Sequence, residues 1–190
     1  MQANLMATND GVQGVIIEGD TVESNDKFYQ SYIAPYYKID KYCPNTEGCL
    51  HKYGIVKNLN KVLPTDLDYK QIGETGNMGP RGISFIFMSG NAIGAVDDWY
   101  FGNMSAKFGI NSNGERGVAF YFDVNDLKNP NVFGKDIYIL TYSPSIGFLP
   151  AGFHKTDEEI KNNCENGNGY FCLAYVLKNH FKIDNKTWNR

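Results

Sequence analysis

The chain has 190 residues, 42% of them apolar and 14% aromatic, with a formal net charge of −3. That is enough for one domain with a substantial core. Lys and Arg are scattered, which gives no electrostatic case for nucleic acid, and no run of about 18 apolar residues exists that would span a bilayer.

Residues 1–23 are polar and Gly-containing, with one apolar island at Val15, Ile16 and Ile17. The start lacks the basic and apolar runs of an export signal. Asp20 to Asn25 supplies N-cap residue types, and KFYQSYIAPYYKI from Lys27 places Phe28, Tyr32 and Tyr36 on one helical stripe, with Tyr29 and Ile33 beside it. Pro35 ends or kinks that helix. From about Val56 the pattern changes to strands and turns. Gly82–Met88 reads as a strand, Ser89-Gly90-Asn91 as a turn and Ala92–Val96 as the returning strand. Gly102–Ile110 is a weaker strand candidate. Val118–Val124 and Ile137–Tyr142 are two more, giving an antiparallel meander whose imperfect alternation implies a helix on one face. Thr156 and Glu159 form a capping-box pattern for a helix running toward Asn163. Leu173, Val176 and Leu177 favour a helix over a strand within Tyr170–Lys178.

Cys43, Cys49, Cys164 and Cys172 fall in two close pairs, each inside a loop rich in Pro, Asn or Gly. Three connectivities are possible. Local pairing, Cys43–Cys49 and Cys164–Cys172, is expected because each bond would close a short flexible loop; a zinc site and free thiols are the alternatives. Disulfides imply an oxidising compartment. Without an export signal, the expectation is a soluble piece of a longer secreted protein.

Among residues able to carry chemistry, the loop 123–136 is the richest. Asp123, Asn125, Asp126, Asn129, Asn131 and Asp136 offer hard oxygen atoms of the kind calcium takes, six to eight at a time. The spacing is not that of an EF-hand, and such residues more often cap turns by bonding their own backbone. His51, His154 and His180 lie in separate segments. No serine has a nucleophile context, and the Gly-rich stretch at 73–82 lacks the lysine of a phosphate loop. The acidic pairs Asp97-Asp98 and Glu158-Glu159 read as solvated. Trp99, Tyr100 and Phe101 form either a core staple or a surface for binding glycan or protein. Asn103 and Asn185 begin N-x-S/T triplets. An enzyme is therefore not expected: no nucleophile, base and oxyanion set converges.

The order of these features carries a resemblance. A helix with SYIAPYYKI precedes the cysteine loop KYCPNTEGCL and a strand meander. The strand–loop–strand FDVNDLKNPNVFGKDIYIL and finally NCENGNGYFCLAYVLKNHFKI follow. This is similar to the globular heads of bacterial type IV pilin-like proteins, including type II secretion pseudopilins, over residues 28–183. Many members carry Asp-Val-Asn-x-x-x-x-Pro-Asn-x-x-Gly-x-Asp, which matches Asp123, Val124, Asn125, Pro130, Asn131, Gly134 and Asp136. They also tend to end in a cysteine-closed loop followed by an aromatic-aliphatic stretch, here Cys164, Cys172, Tyr175, Val176, Leu177 and Asn179. The leader and long apolar helix that define the family are absent from this sequence.

The resemblance implies an α+β head, with an N-terminal helix on an antiparallel sheet of about four strands. Residues 1–23 would be a helix remnant or linker and 24–190 the head. It implies a structural filament subunit, extracellular or at the cell surface and anchored in the inner membrane before assembly. Its partners would be other pilin subunits, through the missing helix, and the assembly machinery. Calcium in the loop is a further implication, since some pseudopilins bind it; the ligands here would be Asp123, Asn125, Asn131 and Asp136. The alternative is a minor, adhesin-like subunit binding glycan or protein through Trp99, Tyr100 and Phe101.

Overall fold

Six strands taken in chain order form one antiparallel sheet: β1 (Ile39–Pro44), β2 (Gly82–Phe87), β3 (Ala92–Asp98), β4 (Gly117–Asp123), β5 (Ile137–Ser143) and β6 (Gly147–Pro150). Among the described residues three helices accompany it: α1 (Val22–Tyr32), α2 (Asp157–Glu165) and α3 (Cys172–Lys178). The computed structural model describes residues 22–44, 48–50, 54–64, 82–90, 92–98, 107–111, 117–125, 127–143 and 146–182. Asn103, Asn185, His51, Asp126, the Gly-rich stretch at 73–81 and the aromatic run Trp99–Phe101 lie outside them.

The α+β class agrees with the expectation from sequence, but the sheet has six strands rather than about four. The two added strands are the outer ones. β1 lies directly before the first cysteine loop and pairs with β2, Tyr42 opposite Phe85 and Cys43 opposite Ser84. β6 pairs with β5, Thr141 opposite Leu149. Lys107–Ile110, at the end of a segment read as a weak strand, is helical at Lys107 and Phe108 and turns at Gly109 against the 151–155 turn, where Gly152 N–H donates to the Phe108 carbonyl and His154 N–H to that of Gly109.

Both faces of the central strands are apolar because both are covered. On one face Tyr29 of α1 stacks on Tyr42 with ring centroids 3.8 Å apart and planes 4° apart, and meets Phe85 at 5.5 Å. Phe120 and Tyr142 complete that cluster, with Ile33, Leu140 and Phe122 at its edge. On the other face Ala119, Tyr121, Ile137 and Ile139 join Phe133, Ile160, Tyr170 and Ala174. Each Ile or Phe side chain so removed from water contributes about 1.5–3 kcal/mol. This two-sided burial explains the unbroken apolar run IYIL in β5, where a one-faced strand would alternate.

The end of α1 follows from Pro35, which disfavours helical backbone at Ala34. The Tyr29 carbonyl accepts from both Ile33 and Ala34 N–H as the helix closes. Tyr36 therefore falls beyond the helix, on an exposed turn, and the face that meets the sheet carries Tyr29 and Ile33. α2 starts as its capping box requires: Glu159 N–H donates to Thr156 Oγ1, and Thr156 N–H donates to Glu159 Oε2 at 2.9 Å. α3 packs against β5 and α2.

Candidate functional site

The loop between β4 and β5 is organised by one carboxylate. Asp136, 3% exposed, accepts Asn131 N–H on Oδ2 and Val132 N–H on Oδ1, both at 2.7 Å. Asn125 Nδ2 adds a longer bond to Oδ2 at 3.3 Å. Asp123 closes the other end, its Oδ1 accepting Asn125 N–H at 3.0 Å, which is the side-chain mimicry of a turn that aspartate allows. Val124 N–H then donates to the Asp136 carbonyl and ties the two ends together. The structure thus brings Asp123, Asn125, Asn131 and Asp136 into one place.

The loop is locked to two other segments. Lys57 N–H donates to the Asn131 carbonyl and Phe133 N–H to the Lys57 carbonyl, a short parallel bridge. Leu59 N–H donates to the Asn168 carbonyl at 3.1 Å. Asn168 Oδ1 accepts from Asn163 Nδ2 and from Tyr170 N–H, and Asn163 Oδ1 accepts Phe171 N–H. The Cys164–Cys172 bond closes this last loop, and Cys43–Cys49 closes the first, so both expected pairings are present and no described cysteine is free.

Glycine is required where the loops touch. Gly134 has φ +86°, and a Cβ there would lie 2.7 Å from Cys172 Sγ and 2.9 Å from the Gly169 carbonyl oxygen. Gly169 also has φ +86°, and its Cβ would meet the Phe133 carbonyl oxygen at 2.5 Å. Neither position tolerates a side chain. Gly134 of the Asp/Asn loop and Gly169 of the cysteine loop are therefore two halves of one contact. Sequence reading marked both loops but not their union, nor the parts of Lys57, Leu59, Asn163 and Asn168. Those residues carry no local pattern beyond a turn signature, since their partners are distant in the chain.

Most of the loop's described carboxylate oxygens hold its own backbone. The Asp136 oxygens hold amide protons and Asp123 Oδ1 holds another. Two buried amide oxygens of the loop, Asn125 Oδ1 and Asn131 Oδ1, accept no hydrogen bond. No group of three or more His, Cys, Asp or Glu residues among those described is placed to hold a metal ion. His154 is exposed, with Nδ1 accepting Asn111 N–H at 2.9 Å, and His180 is exposed at the end of α3. The loop 123–136 is built as a hydrogen-bonded turn.

Burial raises two tyrosine hydroxyls near these contacts. Tyr138 is pushed up to about 12, first by burial and then by the Asp136 charge, while its hydroxyl donates to the Lys135 carbonyl at 2.8 Å. Tyr42 is held well above the usual tyrosine value by burial and by its 2.8 Å hydrogen bond to Asp26 on α1.

The fold and site define a class: an α+β domain whose antiparallel meander is stapled by two local disulfides, which fits an oxidising environment, extracellular or periplasmic. No helix among the described residues is long and apolar enough to cross a membrane. No protein-family description, curated protein or solved structure matches the chain.

Proposed function

We propose that the chain is a non-enzymatic structural subunit of a bacterial type IV pilus or type II secretion-like filament. The observation that supports this most directly is the interlock of the 123–136 loop with the C-terminal cysteine loop. Its ionisable and amide groups hold backbone N–H donors, and its glycines make room for the neighbouring loop. Groups used in this way fix the path of the chain and give a surface domain mechanical integrity, which a filament subunit requires. The pilin-like order of helix, cysteine loop, meander and second cysteine loop supplies the rest of the reading. Its partners would be further subunits, joined through an apolar helix preceding this sequence.

The test is assembly in the native host. The full-length gene is expressed with an epitope in a surface loop, and sheared surface filaments are examined by immunogold electron microscopy. Labelling along filaments is expected, and its loss when the predicted leader is deleted. Labelled protein recovered only free in the medium, with filaments bare, would reject the proposal.

A further inference from the structure

The cysteine loop contains two consecutive Asn-Gly bonds, Asn166-Gly167 and Asn168-Gly169. Asn-Gly is the pair most prone to self-modification, because glycine leaves its own backbone nitrogen free to approach the asparagine side chain. The nitrogen loses its proton to solvent base and attacks the asparagine Cγ. Ammonia leaves, and a five-membered cyclic imide forms. Water then opens the imide at one carbonyl or the other, giving aspartate or isoaspartate. The net change is one water consumed and one ammonia released, with no oxidant or cofactor.

The native loop blocks each part of that step. Gly167 N–H is shared between the carbonyls of Asn162 and Asn163, both at 3.0 Å, and Gly169 N–H donates to Asn163 at 3.2 Å. Asn166 sits at ψ −15°, which turns Gly167 N toward the residue's own nitrogen, whereas ring closure needs it eclipsed with Cβ. The side chains are held as well. Asn166 Nδ2 donates to Asn162 Oδ1 at 3.0 Å, and Asn168 Oδ1 takes two hydrogen bonds at 2.9 and 3.1 Å. At both bonds the attacking N–H is engaged and the asparagine side chain is held in a fixed orientation.

We propose that Asn166 and Asn168 are a latent modification site, silenced by the closed loop, and that the Cys164–Cys172 bond is its guard. Opening the loop releases the glycine nitrogens and starts the clock. The isoaspartate product lengthens the main chain by one methylene. The closed loop cannot accept this, because Gly169 is already packed against the Phe133 carbonyl and the Leu59 side chain, and Leu59 N–H reads the Asn168 carbonyl. Reduction of the Cys164–Cys172 bond to two thiols by an external thiol, itself oxidised to a disulfide, therefore becomes permanent once it outlasts deamidation. This inference does not depend on the filament reading.

The experiment incubates the oxidised full chain beside a synthetic, alkylated peptide of residues 160–174 at mildly alkaline pH. Peptide mapping by mass spectrometry then follows deamidation at each asparagine, with isoaspartate confirmed by enzymatic methylation. The oxidised protein is expected to react roughly tenfold slower than the peptide or slower still, since reaction requires local opening. Equal rates would overturn the silencing, and this comparison needs no variant. Two double variants then test the guard. Cys164→Ser/Cys172→Ser is expected to bring the rate toward that of the peptide, and Cys43→Ser/Cys49→Ser to leave it slow. Equal acceleration in both, or in neither, would remove the guard role.

Discussion

Asp136 and Gly134 show how much one side chain, or its absence, holds in this fold. Asp136→Ala leaves the N–H groups of Asn131 and Val132 without their acceptor in a buried place. The expected loss is about 3 kcal/mol, read from chemical denaturation at constant slope. Gly134→Ala forces a left-handed residue and a Cβ against Cys172 Sγ, for a loss of roughly 2–4 kcal/mol. A Gly134→Ala protein as stable as wild type would mean that the two loops do not interlock. The turn reading also predicts the same melting temperature in excess calcium and in EDTA. An upward shift with calcium would instead assign the amide oxygens of Asn125 and Asn131 to a bound cation.

At the scale of elements, α2 is the helix whose start is most clearly specified. The Glu159 carboxyl is held below its ordinary value by the Thr156 backbone N–H first, and then by the Thr156 hydroxyl and Lys155. A depressed folded value means that the contribution is present above the unfolded value and is lost as pH falls through the folded one. Protection against amide exchange in the first turn of α2, taken relative to the intrinsic rate at each pH, should therefore fall on acidification before that of the β4 and β5 amides. Thr156→Ala should cost about 1 kcal/mol and weaken that pH dependence without removing it, because the backbone N–H at 156 and Lys155 remain. If the first turn of α2 and the central strands lose protection together, the box contributes nothing local.

For the whole molecule the tyrosines report integrity. The folded hydroxyls of Tyr138, Tyr42 and Tyr29 all lie above the ordinary value of 10, burial being the first cause in each. A raised folded value means that the stability is complete below the unfolded value and is lost as pH rises toward and through the folded one. Unfolding should thus set in from pH 10 upward, with Tyr138 ionising only near 12 or with the collapse of the sheet. Phenolate absorbance and circular dichroism recorded together would check this; full tyrosine ionisation at pH 10 with the sheet intact would contradict it. The sheet's edges are guarded against strand addition as well. β1 follows Lys38, carries Lys41 and ends in Pro44, and β6 spans four residues and ends in Pro150, features that blunt an open edge.

Local features are legible in the residues themselves. The paired cysteines at separations of 6 and 8, the capping box and the strands around Phe85, Phe120 and Ile139 all follow from short-range closure, side-chain reach or apolar runs. The tertiary structure alone decided the rest. β1 and β6 are short and gain their identity from the neighbour they pair with, so Asp40, Lys41 and Phe148 gave little strand signal. Tyr36 left the helical stripe because Pro35 ends the helix first. The interlock was hidden because its specificity is steric and long-range. Gly134 and Gly169 are 35 positions apart in the chain, and only folding brings each to the place where a side chain on it would strike the other's loop.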